Sequence, residues 1–389
     1  MLSLIQMSAR CLACDSDELL DCLDLGVQPL ANNFTDEKDD CELKWPLATV
    51  LCKKCFHLQL NYFIDPDMMF KHYIYVSGTS QTYKKYLKWF AGFASKPGDK
   101  VLDIGCNDGT QLDQFKTLGA DTWGVDPAEN LFPLSSKNHK VHLGYFDDDY
   151  NPGVLFDVIN AQNVFAHNRN PYNFILNCKK IMHSNTRLYI QTSQADMVVN
   201  GEFDTIYHEH INFFNVNSFK TLVERAGMTL TDVMKTPIHG TSYMFVVTQN
   251  TPPTSNVENL INEERTMGLY TMDKYAKWVE RVVNFKTKIR EVLKNKFIVA
   301  YGAAAKGNTL LNFIEVTPEF IVDDNPMKQN KYSPGRKSQI VSKDFLKTLD
   351  DAPVTFLPLA WNLFDEIKSN ILQTRSNPND EFINIQDYL

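Results

Sequence analysis

No stretch of this chain reaches the roughly 18 consecutive apolar residues that a membrane-crossing helix needs, so no span is expected. The opening, MLSLIQMSARCLACDSDE, is broadly apolar for six positions only and lacks both a basic start and a long apolar stretch. It does not read as a secretion signal. An excess of positive charge is missing too: 39 Lys and Arg stand against 47 Asp and Glu, a net charge of −8. Phosphate backbones call for a basic face, so nucleic acid is not the expected partner. No repeat of the solenoid kind recurs, and the dinucleotide fingerprint G-x-G-x-x-G is absent. Together these absences lead to an expectation of a cytoplasmic protein with neither a membrane nor a nucleic-acid partner.

What remains is an ordinary globular composition of 389 residues, 43% hydrophobic and 22% charged, enough for two or three cored domains. Four of the eight cysteines fall in two C-x2-C knuckles, CLAC (Cys11, Cys14) and CKKC (Cys52, Cys55). Four thiolates are the number a tetrahedral zinc takes, and the spacing lets each pair grip one ion from a turn. The second knuckle lies between extended runs, WPLATVLC and FHLQLNYF, which predicts a hairpin. The 37 residues between the knuckles exceed the usual ribbon loop, and Cys22 and Cys41 within it are competing ligands. Unliganded thiols or a redox pair are the alternatives to structural zinc.

From Val101 the chain reads as strand (100–104), glycine loop (105–109), helix (110–118) and strand (121–125), the opening of a doubly wound α/β domain. Strands at 156–162 and 187–193 flank the helix YNFILNCKKIM, and TSYMFVVTQ reads as another strand. Before this, the helical spacing of Tyr83, Tyr86, Leu87, Phe90 and Phe93 predicts one apolar face. NTPPTSNVEN (250–259) reads as a linker and 258–294 as one long charged helix. A second α/β unit follows Lys296. The expected class is α/β: a zinc-binding module (1–75), a Rossmann-like methyltransferase domain (76–250), and a helical linker with a second Rossmann-like domain (251–389).

The methyltransferase reading rests on the loop DIGCNDGTQL. Gly105 and Gly109 allow a ligand close to the backbone, and Asp126, about 20 residues on, ends the second strand where a carboxylate can take ribose hydroxyls. The acidic Asp103 suits a cationic amino-acid moiety better than a pyrophosphate. S-adenosylmethionine has the ribose and the amino group and no phosphate. Phe146 and Asp147 in LGYFDDD are expected at the adenine, and Asn107 and Asn163 join the cofactor set. FDTIYHEHINFF (203–214) packs Tyr207, His208, Glu209 and His210 together. Taken alone, it reads equally as a metal pair, a proton-handling site or a polar patch.

These motifs in this order resemble the three-part, zinc-containing sugar C-methyltransferases that act on nucleotide-linked 4-keto deoxysugars. The two knuckles, VLDIGCNDGTQLDQF with GVDPAENL, FDTIYHEHINFF with IHGTSYMFVV, and AYGAAAKGNTLLNF with DDNPMKQNKYSPG and LAWNLFDEI carry the likeness over nearly the whole chain. The resemblance implies a nucleotide-sugar substrate methylated at C-3 through an enolate. It places the family's Tyr-x-Glu-His segment on Tyr207, Glu209 and His210, with His210 as general base, Glu209 orienting it or holding a substrate group, and Tyr207 donating to the ketone. Tyr75 matches the family's second active-site tyrosine, and His208 is left structural. Ser77, Thr79, Ser80 and His239 are expected to meet the substrate. Lys306, at a helix start after a Gly/Ala loop, is expected near a diphosphate, although the loop reads equally as a structural repeat. The chain departs from the family at VSGTS (76–80) and HGTS (239–242). Oxygen methylation and a non-catalytic adaptor therefore stay open as alternatives. Three domains can enclose a site without help, so a monomer is expected.

Overall fold

The computed structural model describes residues 5–389 apart from 75, 80, 195, 239 and 350, and only the backbone of 5, 6, 79, 81 and 362. The chain divides into two compact units, each assembled from three stretches: 1–21, 49–196 and 209–272 in the first, 22–48, 197–208 and 273–389 in the second.

A seven-stranded sheet organises the first unit. Its strands are β1 (Lys100–Ile104), β2 (Asp121–Asp126), β3 (Lys140–Leu143), β4 (Phe156–Gln162), β5 (Met182–Thr192), β6 (Thr229–Thr236) and β7 (Ser242–Thr248). Their spatial order is β6-β7-β5-β4-β1-β2-β3. The run from β3 to β5 is parallel, and β7 pairs antiparallel with both β5 and β6. Both faces are buried, as parallel sheets require. Leu102, Ile104, Leu188 and Ile190 face one core, while Val101 and Tyr189 alternate onto the other. Helices α1 (Gln81–Ala94), α2 (Thr110–Thr117), α3 (Pro171–Lys180), α4 (Val216–Arg225) and α5 (Ser255–Thr266) belong to this unit.

The expected apolar face of α1 holds for Tyr83, Leu87 and Phe90, which are buried, but not for Phe93, which is 43% exposed. Phe93 instead stacks on the equally exposed Trp89, with ring centroids 5.4 Å apart. One helical turn separates the two, so they share a stripe just outside the buried one.

The knuckles lie in this unit as well. Thr49, Val50 and Leu51 pair antiparallel with Leu60, Gln59 and Leu58, forming the hairpin that carries Cys52 and Cys55. Asn212 and Phe213 extend it by pairing with Gln59 and Leu58. Cys11, Cys52 and Cys55 are buried in the same core cluster as Phe214, Phe219 and Phe245.

The second unit contains α6 (Met272–Leu293), apart from its first residue, and a five-stranded parallel sheet. The sheet strands are β8 (Ile298–Tyr301), β9 (Phe320–Val322), β10 (Gln339–Val341), β11 (Thr355–Pro358) and β12 (Glu381–Phe382), in the order β10-β9-β8-β11-β12. Helices α7 (Ala305–Ile314) and α8 (Phe364–Leu372) connect its strands. The single long helix expected over 258–294 is two helices. Gly268, at φ +81, adopts a left-handed conformation that ends α5. The expected linker is shorter as well, because α5 begins at Ser255.

Candidate functional site

The loop between β1 and α2 is shaped by what cannot fit there. Gly105 has φ +73, and a Cβ on it would lie 2.2 Å from Val164 Cγ2. Gly109 has φ +84, and a Cβ there would lie 3.1 Å from the Ser135 backbone. Asn107, also left-handed at φ +51, donates its backbone N–H to Asp126 Oδ2 at 2.8 Å. The other Asp126 oxygen accepts the N–H of Ala128 at 2.8 Å. Each oxygen keeps lone-pair capacity for a hydroxyl. Burial raises the Asp126 carboxyl above its ordinary range. Asp103 is 4% exposed and accepts from Asn160 Nδ2 at 2.7 Å. Burial pushes it up to about 8, partly offset by that bond and reinforced by the charges of Asp126 and Asp108.

A segment named from its hydroxyls is tied to this loop. Ser77 donates its backbone N–H to Asn107 Oδ1, and Gly78 to Asp108 Oδ2, each at 3.0 Å. A Cβ on Gly78 would approach Asp108 Oδ2 to 2.5 Å, so this close approach needs a glycine. Tyr75, Ser80 and His239 lie outside the described residues, as does the side chain of Thr79.

The chain passes from the second unit to the first between His208 and Glu209, inside the Tyr-His-Glu-His segment. Glu209 and His210 are 3% and 5% exposed. Tyr73 Oη donates to Glu209 Oε2 at 3.1 Å. The ring of His210 lies 5.1 Å from that of His167, which stacks in turn on Phe70 at 5.4 Å. Sequence reasoning missed both Tyr73 and His167. Tyr73 stands two places before the tyrosine it favoured. His167 sits five residues beyond β4, a position at the ligand edge of a parallel sheet. Burial drives His167 down to about 4, so it is neutral near pH 7. His208, buried in the second unit, has Nε2 3.3 Å from the Pro46 carbonyl, and burial lowers it to about 4.

Phe146 is committed to the rings of Tyr150 and Phe174, 5.3 and 5.0 Å away, and Asp147 is exposed, accepting the Asp149 N–H. Asn163 holds φ +54 at the end of β4, with its N–H on the Gln191 carbonyl. In the second unit, Lys306 Nζ lies 3.5 Å from Glu202 Oε2, so its charge already faces a carboxylate. The Gly/Ala loop before it is closed by Asp323, which accepts the Ala303 N–H at 2.7 Å.

The sulfurs of Cys11, Cys14, Cys52 and Cys55 all lie within 4.8 Å of one another, with Cys11–Cys55 and Cys14–Cys52 both at 3.5 Å. A tetrahedron with zinc–sulfur bonds of about 2.3 Å needs edges of about 3.8 Å, so the set fits the metal. Bonds among the thiols drive Cys11 and Cys55 up and Cys52 down. Neither Cys22 nor Cys41 belongs to the cluster, and among the described residues no other group of three metal-ligating side chains forms.

The sheet order, the glycine loop and the acid closing β2 define a class I S-adenosylmethionine-dependent methyltransferase. Three family descriptions match successive stretches: "Putative zinc binding domain" at 11–70, "Methyltransferase domain" at 77–233 and "C-methyltransferase C-terminal domain" at 237–384. The chain is 27% identical to the C-methyltransferase NovU of Streptomyces niveus over 95% of its own length and 94% of that protein. The ubiquinone biosynthesis O-methyltransferase of Burkholderia thailandensis is 22% identical over 42% of the chain and 79% of its own length. Among solved structures, the SAM-bound magnesium protoporphyrin IX methyltransferase of Synechocystis is similar over 44% of the chain and 79% of its own, at 13% identity and a TM-score of 0.34. The chain is an S-adenosylmethionine-dependent C-methyltransferase with a four-cysteine zinc site.

Proposed function

We propose that the chain methylates C-3 of a nucleotide-linked 4-keto-6-deoxysugar, carried by a dTDP or UDP group, and that His210 is the general base. The observation that carries this reading is the setting of His210 and Glu209: both are buried, Glu209 is held by Tyr73, and His210 lies against a second histidine that stays neutral. S-adenosylmethionine supplies the methyl group when bound. Asp126 is the residue for its ribose and Asp103 for its amino group, with Gly105, Asn107 and Gly109 giving the backbone room.

The protein's own part is to make carbon nucleophilic. His210 takes the proton from the carbon beside the ketone, and the electron pair moves onto the carbonyl oxygen as an enolate. Tyr207, two residues before Glu209, donates to that oxygen. Glu209 orients the imidazole, the side-chain type suited to exchanging a proton near neutral pH. His167, uncharged, packs beside His210 without adding a competing positive charge. Ser77, Thr79, Ser80 and His239 would hold the sugar, and Tyr75 would serve as the second active-site tyrosine. The chain would work as a zinc-binding part (1–75), a methyltransferase part (76–250) and a C-terminal part (251–389), as a monomer.

Mass and NMR analysis of products formed in D2O from a panel of nucleotide 4-keto-6-deoxysugars tests this. A new C-methyl group is expected, together with deuterium exchange beside the ketone that disappears in His210→Ala. A C-methyl product whose formation survives His210→Ala with its exchange intact would remove His210 as the base.

A further inference from the structure

The sheet order of the first unit distributes roles along its ligand edge. The loops matched to the cofactor follow β1 and β2, while β4 and β5 lie on the opposite side of β1. Strands stand about 4.8 Å apart, so the end of β5 is roughly 10 Å from that of β1. Ligands of doubly wound sheets bind over these carboxyl ends, and an acceptor must lie beyond the cofactor's reactive end.

At that place the chain sets neutral amides. Gln162 closes β4, Gln191 is the penultimate residue of β5, and Gln194 follows three residues later. Gln191 is 0% and Gln194 3% exposed. Among the described residues, both amide atoms of Gln191, both of Gln194 and Oε1 of Gln162 have no hydrogen-bond partner. Gln191 and Gln162 are register partners and so share one face of the sheet. Gln162 Nε2 donates to Gln111 Oε1 at 3.1 Å, and Gln111 Nε2 to the Leu87 carbonyl at 3.3 Å. The face is therefore the one covered by α1 and α2. The segment leading into α1 is the one whose Ser77 and Gly78 amides are tied to the cofactor loop.

More than nine in ten buried polar groups in folded proteins are paired. Five unpaired amide atoms, on the register pair Gln162 and Gln191 and on Gln194 just past the same strand, lie at the edge where this fold takes its ligands and call for a partner that arrives with a ligand. Amides both donate and accept without charge. They suit hydroxyl, keto or amino substituents of a sugar ring rather than a phosphate or the charged amino-acid end of the cofactor. We propose that Gln191 and Gln194, supported by Gln162, recognise the uncharged polar substituents of the ring that receives the methyl group. The chemical class of that ring rests on the function proposed above.

An amide waiting for substrate behaves unlike a structural one. Replacing an unpaired buried amide by an apolar side chain of similar size is neutral or stabilising, whereas replacing a paired one is costly. Gln191→Leu and Gln194→Leu are therefore expected to unfold at the wild-type temperature or above. They should bind S-adenosylmethionine within about twofold of wild type and raise the acceptor KM by roughly tenfold or more. A lower unfolding temperature in both variants, weakened cofactor binding, or an unchanged acceptor KM would each overturn the proposal. If wild type methylates no nucleotide keto-sugar, the sugar reading fails instead. The amide edge is then judged on stability and cofactor binding alone, which need no acceptor: wild-type-like values retain it, and a loss of either removes it.

Discussion

Asp126 and Asn107 are joined by a 2.8 Å hydrogen bond from the Asn107 backbone to Asp126 Oδ2. The pair ties the acid that ends β2 to the glycine loop that follows β1. Asn107 passes the tie on by accepting the Ser77 N–H through its side chain. The second unit repeats the first half of this relation, with Asp323 accepting the Ala303 N–H at 2.7 Å after β8. In both sheets a strand-end carboxylate fixes a loop that would otherwise be free to move.

If Asp103 holds the cofactor's amino group as proposed, cofactor binding should depend on pH. Its folded value of about 8 means it carries a proton near pH 7 before the cofactor arrives. A cationic group beside it favours the ionised form, so binding should expel that proton below pH 8 and affinity should rise with pH until about 8. Calorimetric titrations in buffers of different ionisation enthalpy should show proton release in wild type and none in Asp103→Asn. Equal release in both would assign the proton elsewhere.

Gly105→Ala should disable the loop. The new Cβ would meet Val164 Cγ2 at 2.2 Å on a backbone at φ +73. Affinity for S-adenosylmethionine is expected to fall at least about tenfold, with a stability loss of about 1–3 kcal/mol. Equilibrium dialysis and thermal unfolding measure the two effects, and wild-type binding would refute the account.

Asp204, in the second unit, should make stability fall with rising pH. It is 1% exposed and donates nothing when ionised; it accepts from Trp361 Nε1 at 2.8 Å. Burial raises it to about 6, with Lys306 and Trp361 pulling the other way. The protonated form is therefore the better tolerated one. Its contribution is fully present below the ordinary aspartate value of 3.8 and is lost as pH rises through about 6. Asp204→Asn should flatten the stability profile between these values and gain about 1–3 kcal/mol at pH 7. Urea unfolding across pH 4–7 would show whether the slope disappears.

Zinc removal should reach beyond the knuckles. Three of the four cysteines sit in the main core of the first unit, and Arg225 at the end of α4 donates to the Ala13 carbonyl. Cys52→Ser, or a strong chelator, is expected to lower the unfolding temperature and abolish cofactor binding together. Retained cofactor binding after complete loss of zinc would show the knuckles to be dispensable to the methyltransferase sheet.

Features set by nearby residues were legible in the sequence. The glycine loop, the flanking strands and the acid at position 126 depend on backbone geometry within a few turns of chain, and the observed bounds of β1 and β4 coincide with those expected. The two knuckles were legible because thiol spacing on a turn is itself a local constraint. What escaped was set by distant partners. Tyr73 reaches Glu209, a contact 136 residues apart in the chain. His167 carries no motif, and only the sheet brings its ring to His210. Lys306 looked like a free cation because its carboxylate partner lies 104 residues earlier. Gly268 was overlooked because charge and periodicity run on past it, while a single left-handed residue ends the helix.

The burial of the knuckles in the core of the catalytic sheet has a consequence for the supply of the enzyme. The chain contributes Cys11 and Cys14 first, Cys52 and Cys55 next, and the rest of that core only from Leu102 to Ile261. A cell short of zinc would then hold full-length but incompletely folded chains rather than an intact enzyme lacking a peripheral ion. Metal availability would set how many molecules mature, making methylation capacity follow the zinc status of the cell during synthesis.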